Sequence, residues 1–575
     1  MNNIIFCRWL KRIGKYPAVF FFVLLVACAG GRQHAGYTLT LAHINDTHSH
    51  LEPLTVNLTV NGEKMKAQLG GFARLKTALD EMRAQHPELL FLHGGDAVQG
   101  TLYFTLFNGA PEFDFLNLLG IDAMTFGNHE FDRGCKPIPG WIKRSSFPWL
   151  SANIDFSREP AIAPLVMPYL IKEIHGQRVA VIGVTTQTTP QSTMDAGAAV
   201  FKDAVTSARR QVAALTAQGI NKIILLSHLG YLQDLALAAQ VSGVDIIVGG
   251  HSHSLLGDEQ KLAAVGLKPA GPYPAELLAP DGKRVLVVQA WQWGHVLGRL
   301  HVDFNPAGVI IGYKANMTIP VGDRFVRDNK PVPPGSEAYR EIIKMMEAGG
   351  TARVFSEDPA VVALLAPYKR QVEEYRQVRI AQAKNDIVRG LNSGPGPLAA
   401  DSLLAAVPHA RVALVNNGGV RRDLLAGRIS VGDVLEILPF ANTLVLVDLT
   451  GAQIKTALEE GIDYLLEKYP GADQPLMPYV AGIRFSVRPA ATSGDRISNL
   501  EVKENGVYQP LKPQEVYRLV TNAFVAAGRD GFAAIKNAAG SQSDTGIIDS
   551  DAFREHLRSL GAVVNPTEPR IVIIR

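Results

Sequence analysis

The run Gly127-Asn128-His129-Glu130-Phe131-Asp132 places three kinds of chemistry within six residues. The Asn128 amide oxygen can bind a cation, and the His129 imidazole can protonate or stabilise a leaving oxygen. Asp132 stands three residues beyond His129, near enough to turn back and orient that ring. The run follows Ile121 to Phe126, which reads as a buried strand stopping at a glycine. One such loop is only a hypothesis. Its weight depends on whether other loops carry the rest of a metal site.

They do. Tyr37 to Ile44 runs into Asn45-Asp46-Thr47-His48, and Leu89 to Leu92 into His93-Gly94-Gly95-Asp96. Ile223 to Leu226 ends in Ser227-His228, and Val244 to Val248 in Gly249-Gly250-His251-Ser252-His253. Between these runs, Phe72, Leu75, Leu79 and Met82 recur at helical spacing before Pro87, and Ala204 to Ala217 reads as another helix. Val179 to Val184 and Val285 to Val288 are further strands. A βαβα order implies a layered α/β domain, in which loops converge beyond the carboxyl ends of the strands. Those ends supply Asp46, His48, Asp96, Asn128, His228, His251 and His253. Oxygen and nitrogen donors without a thiolate suit a pair of borderline divalent ions better than an iron–sulfur cluster or a structural zinc. A single Asp-x-His or Gly-Gly-Asp is commonly a polar turn; five ligand-bearing strand ends in one domain are not. His43, His50 and His93 flank these motifs and are expected to pack or support.

Composition sets the frame. At 575 residues, with 47% hydrophobic and 19% charged, the chain is globular and long enough for at least two domains. The net charge is +3, but Arg8, Lys11, Arg12 and Lys15 precede the apolar run Ala18 to Ala27, a segment expected to be removed. Without those four the protein is near neutral, which argues against general nucleic-acid binding. That run is too short to span a bilayer comfortably, and it ends in Leu25-Val26-Ala27-Cys28. This ending resembles the bacterial lipobox. The resemblance implies a lipoprotein signal peptide over 1–28, a lipidated Cys28, and export to a membrane-anchored position in the periplasm or at the cell surface. A plain signal peptide cut near Ala27 or Ala29 is the other reading. Cys7 would be lost and Cys28 modified, so Cys135 has no partner for an intrachain disulfide and is expected to be structural. Nothing in the sequence marks a protein partner.

Asp46-x-His48, Gly95-Asp96, Gly127-Asn128-His129-Glu130, His228 and Gly250-His251-Ser252-His253 together resemble the calcineurin-like metallophosphoesterase superfamily. The resemblance extends to Tyr273-Pro274, Gln289-Ala290 and Gly294. It implies that Asp96 bridges two metals. Asp46, His48 and His253 would complete one site; Asn128, His228 and His251 would complete the other. Some relatives carry glutamine in place of His253. Two ions, Zn, Mn or Co, can lower the pKa of a bridging water and clamp phosphoryl oxygens. His129, held by Asp132, would act on the leaving group without binding either ion.

After Asn329 a proline-rich passage, Lys330 to Gly335, marks a boundary, and Glu337 to Met346 and Pro359 to Val378 read as helices. From Asp386 the chain becomes mixed α and β. Asn416 to Arg421, Leu438 to Thr443 and Asn522 to Phe532 resemble the C-terminal domain of the 5′-nucleotidase family. The family places a nucleobase between two aromatic rings, and Phe440 and Phe524 fall at those positions. Asn416 and Arg421 match nucleotide-contacting residues, and Asp530 matches a carboxylate that binds ribose hydroxyls. Arg389 matches a further arginine, although the stretch up to Asp401 is longer than the family pattern. Gly528-Arg529-Asp530-Gly531 stands where the family has Gly-Gly-Asp-Gly.

The resemblance implies an α/β metallophosphoesterase domain over 37–325, a central β-sandwich flanked by helices. A linker and interdomain helix over 326–385 would follow, then a smaller α+β substrate-binding domain over 386–575. It also implies phosphate release from nucleoside 5′-monophosphates. Gly100 to Phe107 resembles bacterial relatives that split NAD, so NAD or UDP-sugar cleavage is an alternative. A surface nucleotide-binding protein without catalysis is a third reading, although no ligand is visibly missing.

Overall fold

A computed structural model describes residues 36–574 apart from 61, 194–195, 469–475 and 539–541. The proposed signal segment and Cys28 lie outside the described residues. Among the described residues no helix is long and apolar enough to cross a membrane.

The first domain is built on two facing sheets. In one, Tyr37–Ile44 pairs in parallel with Leu90–His93, which pairs in parallel with Ala123–Thr125, itself a parallel partner of Trp149–Leu150. In the other, Gln177–Thr185, Ile223–His228, Ile246–Val248 and Arg284–Val288 are parallel neighbours. Alternate side chains of a strand point to opposite faces, and because both faces are covered here most of these segments read as near-continuous apolar runs. Leu39, Leu41, Leu90 and Leu92 point inward, and meet Val179, Val181, Ile224, Leu226, Ile246 and Val248 of the opposite sheet. Residues of the other register, Ala42, Ile44 and Phe91, pack outward against helix Phe72–Gln85. Ala180, Ile182, Val184 and Leu225 pack against helix Ala204–Ala217. The result is helix, sheet, sheet, helix, the layered sandwich expected.

Residues 326–385 are divided between this domain and a connector. Lys330–Pro331 and Ala352–Val354 both pair with the long strand Ile310–Arg327 of the first sheet. Ile342 and Met346 of helix Glu337–Ala348 are buried in the same apolar cluster as Met317, Ile319, Val321 and Phe325 of that strand. Helix Pro359–Arg376 then crosses toward the second domain, with only Val361 and Val372 fully buried.

The second domain centres on a five-stranded sheet ordered Tyr479–Ala481, Val412–Val415, Val516–Asn522, Thr443–Thr450 and Gln542–Ile548. Helix Gly451–Lys468 lays Ile454, Leu458, Ile462 and Leu465 toward the protein interior. Smaller three- and four-stranded sheets complete a mixed α+β unit.

Candidate metal centre and nucleotide platform

The parallel registers bring Asp46, His48, Asp96, Asn128, His228, His251 and His253 to one end of the sandwich. Donor atoms of Asp46, His48 and His253 lie within 4.8 Å of one another, as do those of Asp96, His228 and His251. A third group, His48, Asp96 and His129, overlaps both. His253 Nε2 stands 3.3 Å from Asp46 Oδ1 and 3.0 Å from His48 Nε2. His251 Nδ1 stands 2.8 Å from Asn128 Oδ1.

The donors fit cations on chemical grounds. His228 Nδ1 must donate to the Gly94 carbonyl, 2.7 Å away, which leaves Nε2 as the nitrogen turned toward the site. That Nε2 is buried and lies 3.0 Å from Asp96 Oδ2, with no ordinary hydrogen-bond partner among the described residues. A lone pair facing a carboxylate is repulsive, so the contact calls for a positive charge, proton or metal, between them. Burial drives the Asp96 carboxyl upward, but the rings of His228, His129 and His48 outweigh it and hold it well below the usual carboxylate range. Burial pushes His251 down to about 4, so it is a neutral, ligand-competent imidazole at neutral pH.

The backbone is arranged around these donors at a cost. Asp46, His48, Asp96, His251 and His253 all have φ between 46° and 73°. The left-handed region costs an L-residue roughly 1–2 kcal/mol, least for Asp and Asn. Strain repeated at three of the five ligand-bearing strand ends is the signature of a site whose surroundings over-determine it. Gly127 is needed for close approach, because a Cβ there would overlap the Asp96 carboxylate.

Glu130 holds this arrangement together, and the sequence reading gave it no role. Its carboxylate is fully buried and accepts from the backbone N–H groups of Gly127 (2.6 Å), Asp96 (3.0 Å) and Ala97 (2.8 Å). It therefore ties the Asp96 loop to the Asn128 loop. The clue was its position inside the motif, but an acid beside donors reads as one more ligand until its bonds are seen. Asn45 acts similarly, donating to Asp46 Oδ2 (2.5 Å) and the Trp291 carbonyl (2.7 Å) while accepting from Ala290 N–H. His93 accepts from Gly95 N–H and meets Thr47, His43 meets the Tyr273 hydroxyl, and His50 stacks on Trp293. All three support the site rather than enter the donor groups.

His129 Nδ1 donates to Asp132 Oδ2 at 2.7 Å, and His129 N–H donates to Asp96 Oδ1 at 2.9 Å. Burial alone would lower the ring's proton affinity, but Asp132 and Asp96 outweigh it and raise it well above the ordinary histidine value. A buried imidazolium with one nitrogen committed to Asp132 has its other nitrogen available as an acid.

The second-domain residues are arranged more loosely. Asn416 Nδ2 donates to Asp530 Oδ2 at 2.8 Å, and Asn522 donates to Asn416 Oδ1 at 3.1 Å, so these three form one polar cluster. Asp530 is itself left-handed, at φ 53°. Phe440 and Phe524 are 49% and 40% exposed, unusual for phenylalanine. The Arg421 guanidinium lies 5.9 Å from the Phe440 ring centre. Arg389 is occupied: Nε pairs with Asp423 at 3.0 Å and Nη1 donates to the Val420 carbonyl.

Comparison with known proteins agrees with both halves of this arrangement. Residues 39–255 match the family model for calcineurin-like phosphoesterases, and residues 377–537 match that for the 5′-nucleotidase C-terminal domain. A Treponema pallidum protein named "Probable 5′-nucleotidase" is 34% identical over 94% of this chain and 95% of its own length. The structure of Haemophilus influenzae NAD nucleotidase superposes with a TM-score of 0.81 at 27% identity, covering 94% of this chain and all of that one. That of a Thermus thermophilus 5′-nucleotidase precursor gives a TM-score of 0.59 at 38% identity over the same shares. The chain belongs to the 5′-nucleotidase family, with a calcineurin-like phosphoesterase domain ahead of a 5′-nucleotidase C-terminal domain, and is a metal-dependent hydrolase.

Proposed function

We propose that this protein releases phosphate from nucleoside 5′-monophosphates, with the chemistry in the first domain and the nucleoside held by the second. The observation that carries this reading is the position of Asp96. Its Oδ2 lies 3.0 Å from His228 Nε2 and 3.8 Å from His48 Nε2, rings that belong to different donor groups. Asp46, His48 and His253 would hold one divalent ion, Asn128, His228 and His251 the other, and Asp96 both. When bound, two such ions, of the Zn, Mn or Co type, supply an activated water and neutralise phosphoryl charge. His129 gives a proton, or hydrogen-bond stabilisation, to the departing ribose 5′-oxygen. Asp132 holds the ring in the orientation that permits this. Phe440 and Phe524 stack the base, Asp530 accepts from the ribose hydroxyls, and Asn416, Arg421 and Arg389 contribute polar contacts to the nucleotide.

Phosphate release from 5′-AMP should vanish on chelation and return with added divalent metal. Nucleotide binding without turnover, in the metal-restored protein, would instead favour the non-catalytic binding protein. A second reading, cleavage of NAD or UDP-sugars, is favoured by the similarity to the Haemophilus influenzae NAD nucleotidase and by the segment Gly100 to Phe107. Chromatography of products from AMP, ADP, UDP-glucose and NAD distinguishes it. We also propose an exported lipoprotein anchored through Cys28, a reading supported by Leu25-Val26-Ala27-Cys28. Labelled palmitate should enter the wild-type chain, and Cys28→Ser should abolish the incorporation.

A further inference from the structure

The last strand of the second-domain sheet, Gln542–Ile548, lies at the sheet's edge and is not regular. Ile548 pairs with Thr443 but Asp544 with Val445, so four residue steps on the edge strand face two on its neighbour. The extra residues form a bulge, a device that re-aims backbone beside active sites. This bulge is pinned from within. Gly546 N–H and the Thr443 hydroxyl both donate to the Asp544 carboxylate (2.9 and 2.5 Å), and the Thr545 hydroxyl donates to the Leu444 carbonyl (2.8 Å). The tip of the bulge, Gly546, rests on the first domain, where its carbonyl accepts from Gln99 Nε2. It also sits directly against Asp132. A Cβ at position 546 would overlap that carboxylate and come within 2.7 Å of Oδ1, and φ is +68°. Only glycine fits, for both reasons.

Asp132 has one carboxylate oxygen on His129 and the other, Oδ1, buried without a hydrogen-bond partner among the described residues. Backbone of the second domain thus stands where water would otherwise solvate Oδ1. Water there would compete for the carboxylate and let it rotate away from the imidazole. We propose that Gly546 is a positioning residue for the His129–Asp132 pair: the bulge seats on Asp132, keeps it dry, and makes the pair's alignment depend on docking of the second domain. The inference rests on the reading that His129 and Asp132 act on the phosphoryl group, and it adds that the domain binding the nucleoside also completes the catalytic pair.

The test is a double-mutant cycle on the full-length, metal-loaded protein with 5′-AMP as substrate. Gly546→Ala should lower kcat by about 10-fold, the lower end of the range for outer-shell partners, with KM and metal content unchanged. In an Asp132→Asn background the same substitution should change kcat by less than about 2-fold, because the carboxylate it disturbs is already gone. An unchanged kcat for Gly546→Ala, or an equal loss in both backgrounds, overturns the proposal. If Gly546→Ala does not fold by circular dichroism, Gln99→Ala carries the cycle instead, with the same outcomes decisive, since it loosens the seat without adding atoms. An Asp132→Asn protein with wild-type kcat would overturn the reading of the catalytic pair itself, a distinct result.

Discussion

The candidate metal centre and the proposed nucleotide platform are built on opposite principles. At the first, five of the seven expected ligands are buried and His251 and His253 partly so, and most sit in strained backbone held by Glu130 and Asn45. At the second, Phe440 and Phe524 stand half-exposed, and the polar residues satisfy one another. An ion needs converging donors fixed in advance, since few protein side chains can follow it. A base brings its own flat surface and needs only rings left uncovered. The first region should therefore fail abruptly when altered, and the second by degrees.

The largest expected effect follows from Asp96. Asp96→Asn keeps the shape but removes the charge facing both His48 and His228, so both ions should weaken together. Metal analysis should fall well below two equivalents, and kcat/KM should drop by about 10⁴-fold or more. Two full equivalents would mean that Asp96 does not serve both sites. Next is His129→Ala, which should cut kcat by about 10²–10⁴ while metal content stays intact. Lost metal in that variant would move His129 into the ligand set and blur the division of labour at the centre.

The same contrast governs what could be read from sequence. Strand ends carrying Asp, Asn and His after buried apolar runs are a linear signal, so the seven residues gathered at one end of the sandwich, and the His129–Asp132 contact, could be picked out from it. The residues alone implied a layered α/β domain and the family resemblance implied the sandwich, in which Leu39 and Leu41 face one way and Ala42 and Ile44 the other. Three things were not legible in the sequence. Glu130 serves backbone N–H groups more than thirty residues upstream, and nothing in a linear chain marks an acid as a brace rather than a ligand. Residues 330–354 look like a linker by their prolines, yet they extend the first domain's sheet, a long-range pairing with no local signature. The contact of Gly546 with Asp132 joins positions 414 residues apart and depends on a bulge.

Glu130 offers a sharper test of rigidity as the organising feature of the centre. Burial, with the Asp96 charge nearby, pushes its carboxyl up to about 7, while the Gly127 and Ala97 donors pull the other way. Glu130→Gln preserves volume but turns an NH2 group toward at least one backbone N–H, so at least one of three bonds is lost. Metal affinity or kcat should fall by about 10–100-fold, as for other outer-shell supports. A loss as large as that of Asp96→Asn would make Glu130 a ligand; no loss would mean the strained loops hold themselves.

The smallest effect belongs to the platform, and it should appear in a different quantity. Phe440→Ala removes one stacking face, worth roughly 1–3 kcal/mol by analogy with base stacking elsewhere. With a ring already half in water, about 10-fold is expected, and it should fall on KM for 5′-AMP with kcat nearly unchanged. p-Nitrophenyl phosphate, which has no base, should be hydrolysed by the variant much as by the wild type. If KM rises equally for both substrates, Phe440 shapes the route to the metals rather than the nucleoside site, and the platform has to be sought elsewhere on the second domain. If kcat falls for AMP alone, the two regions are coupled more tightly than their separate constructions imply, as the seat of Gly546 on Asp132 would allow.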